Sequence, residues 1–184
     1  IAQLPPAIGL RELMLAKNQL TDLTGLEAYR TLEWLVIDDN QISDLTPLAA
    51  LTRLRRLDAL NGIIRDLRPL AGLVSVTKLF LDGNQIENLA PFADLIALEN
   101  LSVSFNQVEN LQPLSRLPEL SFLDLFHNRV SDVSPLAALP ILAFLELGDN
   151  PISDGTVVRT PANCPIGENV PQTLREFCSA PIGP

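Results

Sequence analysis

Five of the seven phenylalanines in this chain, with its single tryptophan, methionine and histidine, fall in four columns that recur every 22 residues. Counting positions from Leu10, column three reads Glu12, Trp34, Arg56, Lys78, Asn100, Phe122 and Phe144. Column five reads Met14, Val36, Asp58, Phe80, Ser102, Asp124 and Glu146. Column seven reads Ala16, Asp38, Leu60, Asp82, Ser104, Phe126 and Gly148, and column eight Lys17, Asp39, Asn61, Gly83, Phe105, His127 and Asp149. The chemistry open to such a set is recognition. Exposed aromatics on a rigid surface mark binding sites and supply most of the affinity at interfaces. Trp34, Phe80, Phe105, Phe122, Phe126 and Phe144 are the expected contact residues, with His127 at their rim. Asp124, Glu146 and Asp149 flank the aromatics and would select basic groups. Phe122, Phe126 and Phe144 are expected to form one cluster, with Phe105 beside it. Packing of these rings against one another, against the C-terminal tail or in a homodimer is the alternative. Nearer the middle, Arg55, Arg56 and Lys78 fall among Asp38, Asp58 and Asp82. As surface ion pairs these contribute little to stability, whereas as a patch they would select a partner by charge.

Catalysis finds no support in these residues. His127 is the sole histidine, the serines have no matched base, and no glycine loop is built to cradle phosphate. Asp38, Asp39, Asp58 and Asp82 could in principle gather around a hard cation, but Arg56 and Lys78 stand among them. The sequence implies no cofactor and no metal.

The elements that position these columns follow from the rest of the unit. Leu32–Arg53, LEWLVIDDNQISDLTPLAALTR, is the clearest copy of the pattern LxxLxLxxNxIxxLxPLxxLxx. Positions four and six are apolar and separated by one residue, the period of a strand, so positions three, five and seven must face the other way. An asparagine stands at position nine in Asn18, Asn40, Asn84, Asn106, Asn128 and Asn150. Its amide can donate and accept at once, which suits a buried bend with unpaired backbone groups. Pro47, Pro69, Pro91, Pro113 and Pro135 open the return segment, where a proline costs nothing at the first position of a helical turn. Each unit is therefore a strand, an asparagine turn and a short 3₁₀ return. No unit can bury its leucines alone, so neighbours must stack. The third unit departs from the pattern with Gly62 at position nine and Ala59 at position six. A shifted turn, with Asn61 partly replacing the missing asparagine and Leu60 and Ile63 turned outward, is expected there.

This pattern resembles the leucine-rich repeats, and the wording NQISDLTPLAAL of Asn40–Leu51 is most similar to the bacterial internalin-type subclass. The resemblance covers residues 10–152. It implies an α/β leucine-rich repeat solenoid, a curved right-handed coil with a parallel concave sheet and short 3₁₀ returns, that holds a partner protein. Related 22-residue repeats occur in a regulatory subunit of type-1 protein phosphatase, but proline in the return fits the bacterial form better.

The chain divides into a partial N-terminal repeat at 1–9, seven repeats at 10–154 with the last incomplete, and a non-repeat C-terminal cap at 155–184. Ile1–Gly9 reads as the back half of a unit, so the chain is expected to be a fragment of a longer protein. Cys164 and Cys178 bracket a short helix expected from Pro171, with Leu174 and Phe177 on one face. A disulfide between them is expected, with free structural thiols the alternative; it would contribute about 3 kcal/mol in the chain-entropy model and would imply export. A net charge of −9 and only two lysines, Lys17 and Lys78, argue against nucleic acid, which needs clustered cations. No apolar run is long enough to span a bilayer. The expected function is an extracytoplasmic bacterial module, secreted or at the cell surface, that binds on its concave face a protein or peptide with basic and apolar groups. An intracellular scaffold and a sensor or targeting segment of a larger enzyme are the alternatives.

Overall fold

The computed structural model describes residues 9–152 of the 184-residue chain. Seven coils each begin with a three-residue strand at positions three to five: β1 (Glu12–Met14), β2 (Trp34–Val36), β3 (Arg56–Asp58), β4 (Lys78–Phe80), β5 (Asn100–Ser102), β6 (Phe122–Asp124) and β7 (Phe144–Glu146). They pair in parallel and in sequence order, always in 22-residue register, as in Leu35↔Leu57 and Leu57↔Leu79. The period-two alternation produces this. Leu35, Leu57, Leu79, Leu101 and Leu123 at position four are sealed in the core, while their neighbours at position three stay partly open. The ladder runs on beyond the strands, with Leu81 N–H donating to Ser102 O at 2.8 Å and Gly83 N–H to Ser104 O at 2.9 Å.

The chain then turns at position eight with positive φ in every coil, from Lys17 (59°), Asp39 (53°) and Asn61 (55°) to Gly83 (68°), Phe105 (53°), His127 (53°) and Asp149 (55°). That bend exposes carbonyls which the asparagine behind it collects. The Asn106 amide donates to the Leu81, Val103 and Ser104 carbonyls at 3.0, 3.0 and 3.1 Å, and its Oδ1 accepts the Ile86 N–H at 2.9 Å. Asn40, Asn84, Asn128 and Asn150 repeat the arrangement.

A second polar column holds the return segment. Asp22, Asp44, Asp66, Asn88, Asn110 and Asp132, at position thirteen, each accept the N–H two residues on at 2.8–3.0 Å. These side chains mimic a backbone turn and lead into the 3₁₀ segments Leu26–Ala28, Thr46–Ala50, Arg68–Leu70, Ala90–Phe92, Gln112–Leu114 and Ser134–Ala138. Proline opens the last five. The first has Gly25 at φ 102° instead. Phe92 fills a return position held elsewhere by leucine and is fully buried. Sealing one such side chain from water is worth roughly 1.5–3 kcal/mol, which is why the stack rather than the single coil is the stable object.

The third coil does not shift its turn. Arg56, Leu57 and Asp58 pair in register with both neighbours, and Asn61 occupies the ordinary position-eight bend. Its amide donates to Asp39 Oδ1 at 3.0 Å and collects no carbonyl, so it does not replace the missing asparagine. The ladder loses one rung instead, and the buried Ile42 N–H, whose counterparts Leu20 and Ile64 bond an asparagine, makes no such bond. Ile63 does face outward, at 43% exposure. The partial repeat before Gly9, the cap at 155–184, its helix and the Cys164–Cys178 disulfide lie outside the described residues.

Candidate partner-binding face

Strand alternation lifts columns three, five and seven onto one side of the sheet, and the bend at position eight carries a fourth column along its rim. The nominated aromatics do not form one cluster there. Phe122 and Phe144, register partners at the start of β6 and β7, stack with ring centres 4.4 Å apart and planes 4° from parallel. Phe105, Phe126 and His127 make a separate group at the other end of the strands. Phe105 meets Phe126 edge-on at 5.3 Å and His127 at 5.1 Å. Positions three and seven are four residues apart, about 13 Å along an extended chain, so register alone keeps the groups apart. Asp124 and Glu146, at position five, lie between them.

The rim group carries backbone strain. A bulky residue at φ 53° is an outlier in the left-handed region, which favours glycine and asparagine. Phe105 nevertheless holds that bend, 53% exposed. Gly148 makes room for the neighbouring ring, because a Cβ there would stand 2.9 Å from Phe126 Cδ2. This glycine was not singled out from the sequence, although its place beside Phe126 in column seven was visible.

Each flanking carboxylate has one oxygen committed. Asp124 Oδ1 accepts Ser104 Oγ–H at 2.5 Å and the Phe126 N–H at 3.0 Å. Glu146 Oε1 accepts the Gly148 N–H at 2.8 Å. Asp82 Oδ1 serves the Ser104 N–H at 2.7 Å and Asp38 Oδ1 the Leu60 N–H at 2.8 Å. Position-seven N–H groups point away from the ladder, and these acids satisfy them. Asp124 Oδ2 and Glu146 Oε2 make no internal hydrogen bond among the described residues. Asp149 Oδ2 sits 3.3 Å from His127 Nδ1. Burial pushes the Asp38 carboxyl above its usual value, with the Leu60 N–H opposing that rise and Asp58 and Asp39 adding to it.

The middle of the face is less evenly compensated than the column charges suggested. Of its three cations only Arg56 is paired among the described residues: Nε and Nη2 reach Asp58 at 2.8 Å each. Its guanidinium lies 4.5 Å from the Trp34 ring centre and 5.0 Å from that of Phe80. Trp34 Nε1–H also points at Asp58, at 3.4 Å. Trp34 and Phe80 are thus the walls of an arginine clasp rather than part of the aromatic patch. Asp58, 6% exposed, is its floor, and the bond to Asp58 holds the Arg56 guanidinium further into its protonated range. Lys78 and Arg55 make no ion pair among the described residues. Asp58 is committed to Arg56 and Asp82 to the serines. Among the described residues no three His, Cys, Asp or Glu side chains are placed to hold a metal ion.

Seven in-register coils, each a strand, an asparagine turn and a 3₁₀ return, make this a leucine-rich repeat solenoid. No family model matches the sequence, and no curated protein does either. Solved structures are more telling. An internalin of Listeria monocytogenes (InlF) superposes with a TM-score of 0.76 at 33% identity, over 79% of this chain and 43% of that one. Internalin C2 of the same organism gives 0.65 at 37% identity, over 79% of this chain and 74% of that one. The chain belongs to the internalin family. It spans less than half the length of InlF. A plant peptide hormone receptor, RGFR1, solved in complex with RGF2, shares the fold at a TM-score of 0.60 and 24% identity, over 66% of this chain and 21% of that one.

Proposed function

We propose that this chain is a protein- or peptide-binding module whose concave face and rim carry the contact. The observation that carries the reading is Phe105. The fold needs only a left-handed backbone at that position, and other coils meet the need with Asp39, Asn61 or Gly83. A strained, mostly exposed phenylalanine costs folding free energy of order 1–3 kcal/mol and gains two ring contacts. Such cost is retained where a surface is used. Phe122, Phe144, Phe126 and His127 extend the contact, and the free oxygens of Asp124 and Glu146, with Asp149, favour basic groups on the partner. No catalytic step is assigned to the chain.

The reading also places the module outside a bacterial cytoplasm. Kinship with two Listeria proteins supports a bacterial source, and a Cys164–Cys178 disulfide, persisting only in an oxidising compartment, is part of it. Among the described residues no helix is long and apolar enough to cross a membrane.

The test compares the chain with Phe122→Ala/Phe126→Ala/Phe144→Ala, matched in circular dichroism and melting, as baits for native extracts and culture medium. A protein retained by the parent and lost with the variant supports the concave face. Identical captures overturn it. Thiol counting on protein from its native host tests the compartment, and two free thiols would favour a cytoplasmic scaffold instead.

A further inference from the structure

Resting on the binding role just proposed, we infer a second, chemically opposite subsite: Arg56 and Lys78 form an anchor for a carboxylate side chain of the partner. Arg56 and Lys78 are direct register partners on β3 and β4. Like charges opposite one another on neighbouring strands destabilise a sheet, and among the described residues only Arg56 of the two has an acidic partner. Asp58 takes Nε and Nη2 of Arg56, leaving Nη1 without an internal partner among the described residues. Lys78, half-buried, makes no ion pair among the described residues either. The trio of Arg56, Lys78 and Asp58 therefore carries a residual positive charge on a chain whose net charge is −9.

The arginine is also held ready. Trp34 and Phe80 grip its guanidinium on two sides and Asp58 fixes its in-plane orientation. Little side-chain entropy remains to be lost on binding, which is the source of affinity in a preorganised site. The combination of a fixed guanidinium N–H and a mobile ammonium suits a carboxylate. A phosphate dianion fits less well, because Asp58 is bound to the Arg56 guanidinium and Asp38 acts on it as well, and both would repel the extra charge.

The neighbouring geometry sets what lies beside that carboxylate. From Lys78 the position-three column runs through Asn100 to Phe122 and Phe144. Two strand spacings, about 10 Å, separate Lys78 from Phe122, the nearer of the stacked phenylalanines. The ligand this face fits is a polypeptide segment carrying an acidic side chain roughly 10 Å from an aromatic or aliphatic one, laid across the strands.

Selection of random dodecapeptides displayed on phage, with the full chain as bait, tests this. Clones are re-measured as free peptides against the parent, Lys78→Ala, Lys78→Arg and Phe122→Ala/Phe144→Ala. Lys78 is the chosen site because removing Arg56 would strand buried Asp58. The expected peptides pair Asp or Glu with an apolar residue, weaken about tenfold with Lys78→Ala, recover with Lys78→Arg and weaken with the double variant. Peptides that need the phenylalanines but carry no acid and ignore Lys78→Ala overturn the carboxylate anchor and leave the binding role standing. A selection yielding no peptide sensitive to the double variant removes both.

Discussion

Positions eight and nine of the repeat are adjacent in sequence and opposite in character. Position nine is an asparagine in every coil but the third, and in the interior ones it is buried behind the turn, at 5–7% exposure in Asn40, Asn84, Asn106 and Asn128, with donors and acceptor used. Position eight is exposed except at the half-buried Gly83, and there the fold dictates a backbone angle and no side chain. Lysine, aspartate, asparagine, glycine, phenylalanine and histidine all adopt it. The contrast separates what the solenoid needs from what it can lend to a partner. Where the fold constrains chemistry the chain repeats itself, and where it constrains only geometry the chain varies.

The largest expected effect breaks the inner side. Asn106→Ala removes the acceptor of the Ile86 N–H and donors to three carbonyls in a buried turn. With each buried group left unpaired costing about 1–3 kcal/mol, the variant should lose roughly 3 kcal/mol or more in urea unfolding. A loss below about 1 kcal/mol would mean the ladder is not what holds the turns.

Outward, the sign reverses. Phe105→Gly should raise stability by about 1 kcal/mol through relief of left-handed strain, while weakening partner capture. Lower stability together with weaker capture would make the ring a structural element instead. The third coil sharpens the comparison from within. Gly62→Asn restores the missing rung, supplying the Ile42 N–H with an acceptor and the Ile37 and Ala59 carbonyls with a donor. A Cβ there meets Asn84 Oδ1 at 2.7 Å, a side-chain atom that must move back. A gain of about 0.5–1 kcal/mol is expected, and a loss would show that Asn84 cannot give way.

The smallest effect is in acid. Hydrogen bonds from Thr24, Thr46 and Ser134, and from the Arg68 guanidinium, hold Asp22, Asp44, Asp132 and Asp66 below the ordinary 3.8. Their contribution is complete above that value and is lost as pH falls through their folded values. Asp38 runs the other way. Its raised carboxyl contributes stability that is complete below 3.8 and declines as pH rises through its folded value. Melting curves between about pH 3 and 7 should therefore differ in shape between the parent and Asp38→Asn. The variant should lose the component that rises on mild acidification and keep the fall at lower pH. Superimposable profiles would contradict the burial of Asp38.

Much of this architecture was legible because a 22-residue repeat states each requirement several times. Strand position, core columns, the asparagine turn and the 3₁₀ return all follow from alternation and residue type. The Asp/Asn column at position thirteen was equally periodic but passed unnoticed, since polar residues in a return segment look like ordinary surface. The site was legible only as columns. Register places Phe122 beside Phe144 and Trp34 beside Arg56. It does not reveal that Arg56 closes on Trp34, Phe80 and Asp58 together, because that depends on how long side chains lean. The expected single aromatic cluster failed for a metric reason, the length of strand between positions three and seven. The broken third rung kept its register because both neighbours impose theirs.

The parallel register has a consequence for how such a surface can change. Every coil bonds only the coils beside it, and each adds one fixed interstrand step. Inserting or deleting a whole unit between β4 and β6 would leave the clasp and the stacked phenylalanines intact as local structures. It would alter the separation between them by one increment of about 4.8 Å. The solenoid is in this sense a ruler, on which unit number sets the spacing a ligand must match and side chains set what it must carry.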